Sequence, residues 1–373
     1  MNRFWVGNGG LWANTDHWAE TSGGPGGFSY PTIADNVYFD ENSFTLTGQE
    51  VSNSYNISPS GLIIDWSDVT NNPNWDIKYF ADGGIGVTQR VNSSTLVLSP
   101  NMTMEFNDSC PISMSGVGTL TGAGQSLGII EFRGVVTGTY TTLLDDLSAE
   151  RLWVGMGTET YTATLDADVY NVALTKSLNI NKASHFPGPY SQGILNMGSG
   201  TWTFNFNVSN QSGALILNGT INAETSTIVL DVTNNNGTVN VPSITSTNTL
   251  TTLNNFIISG ANGGVKISFN PSITFNSFTV LDAPKNLYFY DAKTFTFTNF
   301  TANGTDGNLI TIRSILDVGN ANFSVTNFEG SYIDVSYNTG SGADIPFNPL
   351  NSIDSGNTTN WFPIQLINIS WIT

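Results

Sequence analysis

In the last third of the chain, phenylalanine returns at a near-constant interval. The segments Asn255-Phe256-Ile257-Ile258, Ser277-Phe278-Thr279-Val280, Asn299-Phe300-Thr301-Ala302 and Asn327-Phe328-Glu329-Gly330 place Phe256, Phe278, Phe300 and Phe328 at gaps of 22, 22 and 28 residues. A second apolar and polar alternation accompanies them. Val265-Lys266-Ile267, Leu287-Tyr288-Phe289, Leu309-Ile310-Thr311-Ile312 and Tyr332-Ile333-Asp334-Val335 begin at 265, 287, 309 and 332. Period-two alternation predicts half-buried strands, and the Gly, Asn and Asp between them predict turns. A repeat of roughly 20 to 30 residues is the signature of a solenoid. The expectation is an all-β chain, a single-stranded right-handed parallel β-helix of about 22–28 residues per coil. Phe would stack over Phe inside, with Asn or Thr over its like outside.

The same texture continues upstream with less regularity, in Gly61-Leu62-Ile63-Ile64-Asp65-Trp66, Leu127-Gly128-Ile129-Ile130-Glu131-Phe132 and Thr201-Trp202-Thr203-Phe204. The reading divides the chain into a Trp-, Gly- and Asp-rich cap over 1–43, a shaft over 44–338, a second cap over 339–362 and an apolar tail strand over 363–373. Pro187 and Pro189 do not suit a paired inner strand, so a loop excursion is expected near 184–193. The tail carries Ile364, Leu366, Ile369 and Ile372. Such a strand is expected to dock on its own shaft or to add to a neighbouring subunit and drive assembly. Two β-sandwiches are the rival architecture, against which the double register weighs.

Composition changes the picture in two ways. Charged residues are 11% of the chain, against about 25% in an average globular protein, so the polar positions are mostly amides and hydroxyls. Acidic residues outnumber basic ones 29 to 11, for a net charge of -18, and no Lys/Arg run offers a phosphate track. Nucleic acid is therefore not expected as a partner. No apolar run approaches the roughly 20 residues of a membrane span, so no membrane insertion is expected. Cys110, the only cysteine, has no internal disulfide partner, and Met1-Asn2-Arg3-Phe4-Trp5 lacks the apolar core of a signal peptide. Assembly in a cytoplasm is the expectation.

Both termini carry a resemblance. Phe4-Trp5-Val6-Gly7-Asn8-Gly9-Gly10-Leu11-Trp12, His17-Trp18, Pro31 and Asp35-Asn36-Val37-Tyr38-Phe39-Asp40 resemble the opening segment of β-helical bacterial surface proteins, autotransporter passengers and phage appendage proteins. Tyr332-Ile333-Asp334-Val335-Ser336, Asn351-Ser352-Ile353-Asp354-Ser355-Gly356-Asn357 and Asn360-Trp361-Phe362 resemble the closing segment of pectate-lyase-like β-helices of phage virions and bacterial surfaces. About 40 residues at each end are covered. The resemblance implies the fold and a surface or virion setting, not a reaction. Without a secretion signal or sorting domain in the sequence, a virion protein assembled in the host cytoplasm is expected over an extracellular bacterial surface protein.

Candidate chemistry is sparse. Polysaccharide-cleaving β-helices bring carboxylates from neighbouring coils to one face, about 5 to 9 Å apart for glycoside hydrolysis. Asp145, Asp146, Asp166 and Asp168, with Glu150, are the catalytic candidates if the protein is an enzyme; their plainer reading is as turn residues. A polygalacturonase would add Gly-His-Gly and Arg-x-Lys, which the chain lacks. Asn14-Thr15-Asp16 matches one fragment by chance. His17 and His185 are the only histidines, and no hydrolytic triad is expected. Asp35, Asp40 and Glu41, among Asn36 and Asn42, could hold calcium or simply cap a turn. No other cofactor is expected. Trp66, Trp75, Trp153, Tyr190 and Tyr288 are the candidate glycan platforms. The reading is a non-enzymatic virion protein, a head decoration or tail fibre component. Its partners would be itself, as a trimer, other virion proteins and a host glycan. A tail-spike depolymerase and a bacterial adhesin are the alternatives.

Overall fold

The computed structural model describes residues 1–53, 57–77, 90–106, 110–134, 138–156, 161–180, 192–205, 215–217, 219–233, 238–241, 252–261, 266–269 and 272–363. It is a parallel β-solenoid of about nine coils. One three-residue 3-10 turn, Thr15–His17, is the only helix among the described residues. The chain clusters into two compact units. One is built mainly from Met1–Asn205 and Leu215–Thr227, the other from Ile228–Ile244 and Thr249–Thr373.

The first unit opens with a short ribbon in which Asn2–Trp5 runs antiparallel to Trp18–Ala19 and parallel to Asn36–Tyr38. Parallel pairing continues coil upon coil. One inner column reads Val91, Ile112, Ile130, Leu152, Leu178 and Leu215, all buried. Its steps are 21, 18, 22, 26 and 37 residues long. Aliphatic side chains hold this core, and the varying coil length explains why the rungs upstream resist reading from sequence. The N-terminal end is aromatic. Trp5, Trp12, Trp18, Phe39, Phe44, Trp66 and Trp75 are all fully buried, with Phe39 stacked on Trp66 at 3.5 Å and Trp12 on Trp75 at 6.1 Å. Trp66 and Trp75 are thus core, which corrects their assignment as glycan platforms.

The second unit carries the phenylalanine ladder in the expected register. Phe256 pairs with Phe278, Phe278 with Phe300 and Phe300 with Phe328. Their rings stack at 5.6, 5.4 and 5.7 Å, within 6° of parallel. Phe256, Phe278 and Phe300 are buried; Phe328 is half-buried, covered by Phe347 at 4.8 Å and Trp361 at 5.7 Å. Trp361 itself is fully buried, so the closing segment packs onto the last rung of the ladder.

The second strand departs from the constant pitch expected of it. Ile267 pairs with Leu287, Leu287 with Ile312 and Ile312 with Val335, steps of 20, 25 and 23. The reason lies in the turns. Between the coil of Phe278 and that of Phe300, the turn ahead of the second strand gains three residues and the turn behind it gains three more. The first becomes a small hairpin closed by Thr305 and Asn308. The second is gathered by the Asp291 carboxylate, which accepts from the Ser314 hydroxyl, the Leu316 N–H at 3.3 Å and the Gly319 N–H at 3.0 Å.

Of the expected loop excursion near 184–193, Gln192 and Gly193 belong to the paired strand Gln192–Asn196, and the rest lies outside the described residues. The apolar tail also lies outside them, from residue 364 onward.

Candidate functional site

The four candidate catalytic acids lie close in sequence: Asp145, Asp146 and Asp168 stand between strands, and Asp166 ends the strand Thr162–Asp166. The carboxylates of Asp145, Asp146 and Asp166 have partners. Asp145 reaches back one coil, where its two oxygens accept the N–H groups of Gly122 and Ala123, both at 2.6 Å. Asp146 reaches forward, accepting from the Asn171 N–H at 2.8 Å and its side-chain amide at 3.0 Å. Asp166 accepts from the Tyr140 hydroxyl at 2.6 Å and from the Asp168 N–H at 3.2 Å. Asp168 stands at a left-handed corner, φ 50°, with its carbonyl accepting the Ser199 N–H at 2.7 Å. Glu150 is paired with Lys176 at 2.6 Å. Asp145 and Asp146 thus point to opposite coils, and each accepts turn N–H groups that would otherwise lack acceptors.

No protein family matches the chain, and no curated protein or solved structure matches it either. The fold and the geometry therefore carry the functional reading.

The acids considered for calcium are likewise engaged within their own turns. Burial pushes the Asp35 carboxyl up, but hydrogen bonds from the Thr32 N–H at 2.9 Å and hydroxyl at 2.8 Å, with the N-terminal ammonium at 3.1 Å, hold it below the usual range. Asp40 accepts the Asn42 N–H at 2.9 Å, and Glu41 meets the Asn42 amide at 3.4 Å. His17 lies flat on Trp5 at 4.6 Å, its Nδ1 2.8 Å from the Val6 carbonyl, as part of the aromatic end.

Of the remaining platform candidates, Tyr190 lies outside the described residues. Trp153 is half-buried, and the Asn179 amide beside it meets its indole N–H at 2.9 Å. Tyr288 is half-buried, with the Arg313 guanidinium 6.0 Å over its ring.

Sequence reading missed a buried ion cluster. Glu131, 2% exposed, lies 3.2 Å from Arg90 and 3.4 Å from Arg133. Burial raises its pKa in spite of the Arg90 charge, and burial likewise pushes the nearby Cys110 thiol up to about 12. Cys110 is therefore an inert core thiol. Arg90 and Glu131 sit about 40 residues apart in the sequence, and only the coil register brings them together.

The outward surfaces are uncharged over long stretches. In the second unit one column runs Thr252, Thr274, Thr296, Ser324 and Ser341, and another Asn255, Ser277, Asn299 and Asn327. Amides bridge the coils, Asn327 donating to Asn299 at 2.9 Å and Asn276 to Asn254 at 3.2 Å. Coils repeat at about 4.8 Å and alternate residues at about 6.7 Å, so these groups form a regular lattice. The first unit adds a shallow groove of about 460 Å³ lined by Tyr30, Ile33, Ser58, Ser60, Asn92 and Ser115.

Proposed function

We propose that the protein is a non-enzymatic structural and adhesive component of a phage particle, displaying its outer columns to a host glycan and to neighbouring virion proteins. The observation that carries the adhesive part is the outward lattice of hydroxyls and amides, whose donors and acceptors match those of a polysaccharide. The particle setting rests on the resemblance of the terminal segments. A depolymerase needs an acid and a base free to act on substrate, whereas Asp145, Asp146 and Asp166 are committed to turn N–H groups or to Tyr140. Incubation with host capsule or lipopolysaccharide tests the reading: the glycan is retained on the immobilised protein, and no reducing ends or unsaturated uronates are released. Release of either, lost on Asp145→Asn or Asp166→Asn, would make the protein an enzyme. Portal, capsid or tail genes beside its gene would support the particle setting.

A further inference from the structure

One outward column of the first unit breaks the run of small polar residues. It reads Val117, Tyr140, Thr164, Ile194 and Thr220, paired coil to coil. Beside it runs Thr119, Thr142, Asp166, Asn196 and Asn222. Tyr140 is 41% exposed and Val117 77%.

The posture of the tyrosine is fixed by its hydroxyl, which donates to Asp166 Oδ2 at 2.6 Å. Asp166 lies on the next coil, in register with Thr142, two residues along from Tyr140. Spanning one coil of about 4.8 Å and a two-residue step of about 6.7 Å, the phenol leans diagonally across the sheet toward the next coil. Thr164, its partner in register, is only 8% exposed although it faces outward, as a ring lying over it requires. The result is a flat aromatic plate, open on its solvent side, between Val117 and Ile194. A tyrosine placed between the inward Thr139 and Thr141 gives little sign of this in the sequence, where aromatics read as core.

We propose that Tyr140 and Asp166 form a subsite for a neutral hexopyranose unit, whose apolar ring face stacks on Tyr140 and whose hydroxyls donate to Asp166. Electrostatics choose the neutral class. The two columns carry a carboxylate and no Lys or Arg, and the field of Glu224 also reaches Tyr140, so an anionic sugar meets repulsion with no counter-charge. The Asp166 hydrogen bond, with burial and the Asp166 and Glu224 charges in support, raises the Tyr140 pKa and keeps the phenol a neutral donor. The subsite rests on the adhesive reading above and gives it a position and a ligand class.

The test uses the full chain, with cellohexaose, dextran and a β-1,4-galactan as neutral probes and polygalacturonate as the anionic one, in affinity electrophoresis and calorimetry. At least one neutral probe binds the wild-type protein. Tyr140→Ala weakens that binding about tenfold or more, a loss equivalent to one decade of Kd. Tyr140→Phe, which keeps the plate and loses the tether, weakens it less, and Asp166→Asn falls between. All variants keep the wild-type circular dichroism, because the side chain is on the surface. Equal neutral binding by wild type and Tyr140→Ala would overturn the subsite and leave the adhesive reading standing. Binding of polygalacturonate alone would overturn the charge argument and the subsite with it. No binding by the wild type to any of the four would overturn both readings.

Discussion

Phe278 and Thr279 are adjacent, yet the register sends one into the core and leaves the other half-buried on the outer surface. Truncating a packed Phe costs about 3–5 kcal/mol, so Phe278→Ala should lose that much stability in urea denaturation. Thr279→Ala should stay within about 0.5 kcal/mol of wild type. Equal losses would show the strand to be a residue out of register. Glu131 gives a second residue-scale prediction. Its pKa is raised in the fold, so between the unfolded and folded values the native protein holds a proton that the unfolded chain has released, and stability falls as pH rises. Glu131→Gln should melt like wild type at low pH and become the more stable protein as pH climbs past about 4.3. Arg90 and Arg133, each about a quarter exposed, can be hydrated once their partner is neutral. A gap that closes with rising pH would mean that the two arginines outweigh burial. The phenylalanine ladder was legible because identical residues recur in similar local sequence, twice at a spacing of 22 residues. The fate of Trp66 and Trp75 was not, since nothing local distinguishes a tryptophan plugging the end of a solenoid from one lying on its side.

Turns are the elements on which coil-to-coil cohesion depends. Asp145→Ala leaves the N–H groups of Gly122 and Ala123 without their acceptor. The expected cost is about 1–3 kcal/mol, seen as an earlier thermal midpoint. A variant as stable as wild type would show that water replaces the carboxylate at no cost. Lys285 plays the converse part. Its buried ammonium donates to the carbonyls of Gly260 at 2.6 Å, Pro284 at 3.2 Å and Asp282. Asp145 and Asp146 stand between strands, whereas Asp166 ends a strand, and the direction in which each reaches was hidden, because back and forward reach depends on which coil lies next door. The pitch of the second strand was misjudged for a related cause. Turn length varies from coil to coil, and an alternating strand slides by two positions without changing which residues look apolar.

For the whole molecule the fold predicts a circular dichroism spectrum dominated by strand, with helix content below about 15%; a larger value would be incompatible with parallel coils. A solenoid also tolerates removal of an entire repeat better than part of one. Deleting residues 278–299 joins Ser277 to Phe300, its neighbour in the equivalent position one coil on, and should leave a folded protein with a lower melting temperature. Deleting half that length should abolish cooperative melting of the second unit. Fold class and the phenylalanine rungs could be read from the sequence, because spacing records stacking. The aliphatic rungs of the first unit could not, with steps that range from 18 to 37 residues. The coil from Phe300 to Phe328 absorbed six additional residues in two turns while every aromatic pair kept its register. Inheritance of the inside and of the outside is thereby uncoupled. A lineage can lengthen or rewrite its exposed loops by drift or recombination, with no compensating change within, at the pace that selection from outside sets.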